Sequence, residues 1–75
     1  MKKEQNFSVV IERNKDGYFA FCPELQGCYS QGNTYEETLE NIKDAIKLHV
    51  EDILASGEAL PETESISLST VGVLV

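Results

Sequence analysis

Apolar and polar residues alternate early in the chain and then switch to a helical spacing. Phe7, Val9 and Ile11 alternate with Ser8, Val10 and Glu12, which predicts a strand over Phe7–Arg13. Asn14-Lys15-Asp16-Gly17 is a turn cluster with a glycine that accepts positive φ, so Tyr18–Cys22 reads as the return strand of a hairpin. Pro23 ends that strand because it cannot donate a ladder hydrogen bond. Leu25-Gln26-Gly27 turns the chain, and Cys28–Gln31 forms a third short strand before Gly32. Thr34-Tyr35-Glu36-Glu37 then has the form of a capping box. Leu39, Ile42, Ile46, Val50 and Ile53 follow with helical spacing, and Gly57 and Pro61 mark the stop. The helix spans about 22 residues, or roughly 33 Å. A polar connection over Leu60–Ser65 leads to a last strand, Thr70–Val75, with Val71, Val73 and Val75 on one face. Ile66 and Leu68 are out of phase with those valines, which asks for a bulge near Ser69 or a later start of the strand.

The order β-β-β-α-β defines an α+β fold: one domain over residues 1–75, with one helix on a four-stranded mixed sheet. Three antiparallel strands followed by a helical crossover make the last strand parallel to the first, with a right-handed connection. Pairing Arg13 with Tyr18 sets Ile11 opposite Ala20 and Val9 opposite Cys22, and these residues, with Phe7, face the helix. The same register sets Val10 opposite Phe21 and Glu12 opposite Phe19 on a face that no helix covers. Val10, Phe19 and Phe21 are therefore the expected homodimer interface. A slip of one residue would exchange the two faces.

Length strengthens the case for an oligomer. A 75-residue chain buries little more than roughly 60% of its unfolded surface, so a lone fold is marginal. The hydrophobic fraction of 41% and charged fraction of 25% are those of a globular protein, not a disordered one. No apolar stretch approaches the roughly 20 residues a membrane span needs. Met-Lys-Lys-Glu-Gln-Asn is followed by no secretory h-region, so the expected location is cytoplasmic. The net charge of −7, from 13 acidic and 6 basic residues, opposes nucleic-acid binding and favours a basic protein partner, or simply solubility. On the helix, Leu48 projects opposite the core stripe among Glu37, Glu40, Asp44, Glu51 and Ala55. An isolated exposed leucine is common. A leucine ringed by carboxylates is also what a docking face for a basic protein looks like.

Candidate chemistry is sparse. Cys22 and Cys28 fit no zinc spacing and are expected as free thiols in a reducing compartment, with a disulfide or redox switch as the alternative. His49, the one histidine, lies at the edge of the apolar stripe and has no partner spacing for catalysis. Glu12 and a helix carboxylate could in principle share Mg²⁺, against the plainer reading of solvated acidic side chains. Lys2, Lys3, Arg13, Lys15, Lys43 and Lys47 form no nucleic-acid stripe. No catalytic residue, metal site or cofactor is expected.

Val9-Val10-Ile11-Glu12, Asp16-Gly17-Tyr18, Pro23-Glu24-Leu25-Gln26-Gly27-Cys28, Ser30-Gln31-Gly32, Thr34, Glu36-Glu37, Leu39-Glu40-Asn41-Ile42 and Leu60-Pro61-Glu62, in that order, resemble HicB-type antitoxins. The resemblance covers nearly the whole chain; the ordered set carries it, not any single piece. It implies a reduced RNase H-like unit whose last strand lies beside the first. It also implies a partner, a small basic HicA-type mRNA-cleaving toxin that the antitoxin occludes. The expected contact residues are Glu37, Glu40, Asp44, Leu48 and Glu51. Many family members carry a C-terminal DNA-binding domain. Here the sequence stops at Val75, so direct operator binding by this chain is not expected. An orphan oligomeric module and a metal-dependent RNase H-like nuclease are the competing readings; the fold by itself carries no activity.

Overall fold

A computed structural model describes residues 4–62 and 65–75. Lys2, Lys3 and part of the expected Leu60–Ser65 connection lie outside the described residues. Three strands, β1 (Val10–Asn14), β2 (Gly17–Phe21) and β3 (Tyr29–Gly32), precede one helix, α1 (Tyr35–Ala55). The sheet is antiparallel in the order β1-β2-β3. The fold is α+β, with one helix on a three-stranded sheet.

The hairpin register follows from its two-residue loop. Lys15 and Asp16 form the turn, Asp16 N–H donates to Asn14 Oδ1 at 2.8 Å, and Gly17 adopts a φ of 136°. Ile11 therefore faces Ala20, Val10 faces Phe21 and Glu12 faces Phe19, as the alternation predicts. Ala20 and Cys22 are buried, and Phe7, Val9 and Ile11 pack against them on the helix side.

β1 begins three residues later than the alternation predicts. Pro23 ends β2, so Phe7, Ser8 and Val9 run beyond their neighbour's last ladder position. The Glu24 carboxylate stands in for the missing strand and accepts the Ser8 N–H at 3.0 and 3.1 Å. The bend after β2 is held by Cys22 N–H donating to Cys28 C=O at 3.0 Å, with Leu25 buried inside it.

The helix termini follow their caps. Thr34 Oγ1 accepts the Glu37 N–H at 3.1 Å, while the Glu37 carboxylate reaches one residue further back than expected, to the Asn33 N–H at 3.3 Å. At the other end Gly57, with a φ of 77°, allows a Schellman closure: Gly57 N–H donates to Leu54 C=O and Glu58 N–H to Ile53 C=O, both at 3.1 Å. Ile42 and Thr38 are the helix's fully buried residues, and Ala45, Ile46, Val50 and Ile53 pack around the core. Thr38 satisfies its hydroxyl by donating to Thr34 C=O at 2.7 Å. It sits so close to β3 that a Cβ on Gly32 would lie 2.6 Å from its Oγ1 and 2.9 Å from its backbone nitrogen.

Two expectations differ from this arrangement. Leu39, placed in the core stripe by periodicity, remains 41% exposed, because the stripe centres on Thr38 and Ile42 and leaves Leu39 on the flank. Residues 65–75 form no strand and are exposed throughout. A parallel strand beside β1 depends on a long-range pairing, and this segment makes none here.

Candidate functional site

The outer face of α1 carries the residues expected to meet a partner. Glu37, Glu40, Asp44, Leu48 and Glu51 are all exposed, Leu48 by 63%. At 100° per residue they fall within one stripe about 80° wide. The stripe has an internal division that spacing alone does not reveal. Glu40 and Glu51 border an apolar groove on the helix flank, whereas Asp44 and Leu48 lie further round toward solvent. Glu37 is partly committed to capping through its bond to Asn33.

Electrostatics at the helix ends add to this picture. Glu36 and Glu37 sit in the first turn, where the dipole favours negative charge; the last turn holds no basic residue. Glu51, Asp52 and Glu58 instead crowd the C-terminal end, where the dipole opposes them. A cation docked along this end would relieve that opposition.

The second surface is the sheet face away from the helix. Phe19 is 37% and Phe21 41% exposed, with Val10 half-buried beside Phe21. Tyr29, paired with Phe21, extends the patch onto β3 and is also exposed. Glu12 lies on this same face, opposite Phe19. It therefore points away from α1 and does not converge with a helix carboxylate. Among the described residues no group of three or more His, Cys, Asp or Glu side chains is placed to hold a metal ion.

The third surface is the groove. It encloses about 690 Å³ between residues 5–9 and the flank of α1, with Val9, Leu39, Ile46, Val50 and Leu54 on its walls and Leu60 at one end. The sheet ladder explains why it is open. Cys22 bonds across to Cys28, so the backbone groups of Tyr18, Ala20 and Cys22 point to β3 and those of Phe19 and Phe21 to β1. Val10 and Glu12 take up the latter, and Ser8 turns the same way toward Glu24. The N–H and C=O groups of Phe7, Val9, Ile11 and Arg13 are left facing outward along an unpaired edge.

The thiols belong to the core. Cys22 and Cys28 are free and buried. Burial pushes the Cys22 thiol up to about 11, aided by the neighbouring Glu24 carboxylate, and burial likewise raises Cys28. Half-buried His49 stays at the edge of the apolar stripe. Among the described residues no helix is long and apolar enough to cross a membrane.

Comparison with known proteins supplies a family. Residues 7–71 match the HicB-like antitoxin of bacterial toxin-antitoxin systems. A UPF0150 protein of Synechocystis sp. is 41% identical over 75 residues, covering 99% of this chain and 94% of that protein. A UPF0150 protein of Helicobacter pylori is 56% identical over 48 residues, covering 64% of this chain and 67% of its own length. Among solved structures, a chain of a HicA3 and HicB3 toxin-antitoxin complex superposes with a TM-score of 0.65 at 25% identity, over 80% of this chain and 70% of that one. The match spans the hairpin and the capped helix, and this chain belongs to the HicB-like antitoxin family.

Proposed function

We propose that this chain is a non-enzymatic antitoxin that binds and masks a small basic HicA-type mRNA-cleaving toxin in the cytoplasm. The observation that carries the reading is the likeness of 80% of the chain to part of a HicA3 and HicB3 complex. The acidic outer face of α1 supports it. Asp44 and Leu48 form the centre of the contact, one supplying charge and the other an apolar anchor. Glu37, Glu40 and Glu51 form its rim. Asp52 and Glu58 extend the negative field toward the helix C-terminus. Masking by such a face needs no chemistry from the antitoxin, only coverage of a cationic RNA-binding surface.

Three structural features complete the proposal. The sheet gains a fourth strand from the Thr70–Val75 segment at the open edge of β1, giving the reduced RNase H-like β-β-β-α-β unit. The chain works as a homo-oligomer, with Val10, Phe19 and Phe21 forming one contact between copies. Its net charge of −7 opposes direct binding to DNA. The test is co-expression with the small basic protein encoded beside it. A stable complex that co-purifies is expected; absence of any such neighbour, or of any complex, overturns the reading.

A further inference from the structure

The chain exposes far more surface than a domain of its mass should. A compact monomer of 8.3 kDa exposes roughly 4,600 Å² by the usual scaling with mass. This chain exposes 6577 Å². Its radius of gyration is 14.4 Å, against about 11 Å for a compact chain of this length. The excess area, on the order of 2,000 Å², is larger than each partner contributes to a standard protein–protein interface.

Two features account for it, and they are complementary. One is the groove beside the segment that leads into β1: the outward-facing edge of Phe7 and Val9 on one side, the helix flank on the other. The other is the segment 65–75, which carries no charged side chain and is exposed throughout, from 41% at Ile66 to 75% or more at Leu68, Val71, Val73, Leu74 and Val75. Its alternation would put Val71, Val73 and Val75 against the helix flank and Leu74 on the outer sheet face beside Val10. The groove has an apolar floor of Val9, Leu39, Ile46, Val50 and Leu54, a rim of Glu40, Lys43, Lys47 and Glu51, and the outward-facing backbone of Phe7 and Val9 along one side. A neutral β-branched strand satisfies both demands; a basic, charged surface satisfies neither.

We infer that the strand filling this groove is contributed by a second copy of the chain, so that two protomers exchange their Thr70–Val75 segments across a two-fold axis. Thirteen residues, Gly57–Ser69, separate the helix from this segment. Connections that return a strand beside its own unit run about 2–6 residues. Thirteen extended residues reach roughly 40 Å, enough to cross to a neighbour. Half-buried Leu60 lines the groove, while none of residues 65–75 does. Reciprocal exchange closes both edges at once, as an isologous dimer requires. This contact borders the outer face at Val10, beside which Leu74 is placed, and does not depend on the toxin.

The test uses the full chain with Leu74 replaced by a photo-cross-linking benzoylphenylalanine. Leu74 is fully exposed here and sits on the side away from the groove walls, so the replacement spares the packing. Equal amounts of ¹⁴N- and ¹⁵N-labelled protein are unfolded, mixed, refolded and irradiated, and the cross-linked peptides are read by mass spectrometry. Cross-links from position 74 to the β1 peptide are expected, about half of them joining one light and one heavy chain. Cross-links found only within one isotope would mean that each chain closes its own groove. Cross-links that miss β1 altogether would mean that the segment does not occupy the groove. Either result overturns the inference. Native mass spectrometry of the unsubstituted chain guards against a folding defect: species at twice 8.3 kDa or even multiples of it are expected, and monomer alone at micromolar concentration overturns it too.

Discussion

Replacing Gly32 by alanine tests how α1, and with it the proposed toxin-binding face, is held on the sheet. Gly32 does not adopt positive φ, so the substitution meets no backbone strain. Its effect comes from space: the new methyl would lie 2.6 Å from Thr38 Oγ1 and 2.9 Å from Thr38 N. Thr38 is fully buried and its backbone nitrogen already donates to Thr34 C=O at 3.0 Å, so neither atom can move without lifting the first helical turn. Overpacking of this kind costs about 1–3 kcal/mol, and weakening the Thr38 hydroxyl bond adds about 1 kcal/mol. A 75-residue domain has only about 4–11 kcal/mol in total. The expected loss of about 2–4 kcal/mol lowers Tm by roughly 10–25 °C. Guanidinium denaturation followed by circular dichroism reads it. Gly57→Ala is the contrast: nothing lies within 4 Å of its added methyl, and its φ of 77° makes the cost conformational, about 1–2 kcal/mol. Adding Thr38→Ala to Gly32→Ala should recover part of the loss by removing the hydroxyl contact. A Gly32→Ala cost below about 0.5 kcal/mol would refute the close approach of β3 and α1.

Three further outcomes are expected. Leu48→Arg combined with Asp44→Lys leaves the circular dichroism spectrum intact and weakens toxin binding at least about 10-fold, a loss of about 1.4 kcal/mol; unchanged affinity in calorimetry would remove the helix face from the contact. Phe21→Glu lowers the oligomer order seen by light scattering, whereas an unchanged mass would show that the outer sheet face is no interface. The third outcome concerns pH: Cys22 rises from 9.0 to about 11 on folding, so the folded state favours the neutral thiol. Its contribution is complete below pH 9 and is lost as pH climbs through 11. Chemical denaturation should show stability falling over that window, and Cys22→Ser should flatten the fall.

The parts of the fold legible from sequence were those whose signals are local. Asn14-Lys15-Asp16-Gly17 sets the hairpin register, and Thr34 and Gly57 bound the helix, because turn and cap chemistry acts within a few residues. Burial of Thr38 was less visible. A polar residue enters the core only because Thr34 C=O lies within reach and Gly32 leaves room, facts that belong to the meeting of two elements. The start of β1 shifted for a similar reason: Phe7–Val9 have strand character but outrun β2, and Glu24 takes the ladder position. The last strand, expected from the alternating valines of Thr70–Val75, is not formed: alternation is a local signal and says nothing about which edge would receive the strand. Among the expected contact residues, periodicity placed all five on one exposed stripe, yet it could not separate Asp44 and Leu48 from Glu40 and Glu51 at the groove rim.

The central claim, that this chain silences a ribonuclease by covering it, is tested most directly by an RNA cleavage assay. Purified HicA-type toxin encoded beside the chain is incubated with a single-stranded transcript while the chain is titrated in. Cleavage should fall to background near molar equivalence and return when salt screens the acidic face. Full cleavage at a severalfold excess of folded chain would contradict the account.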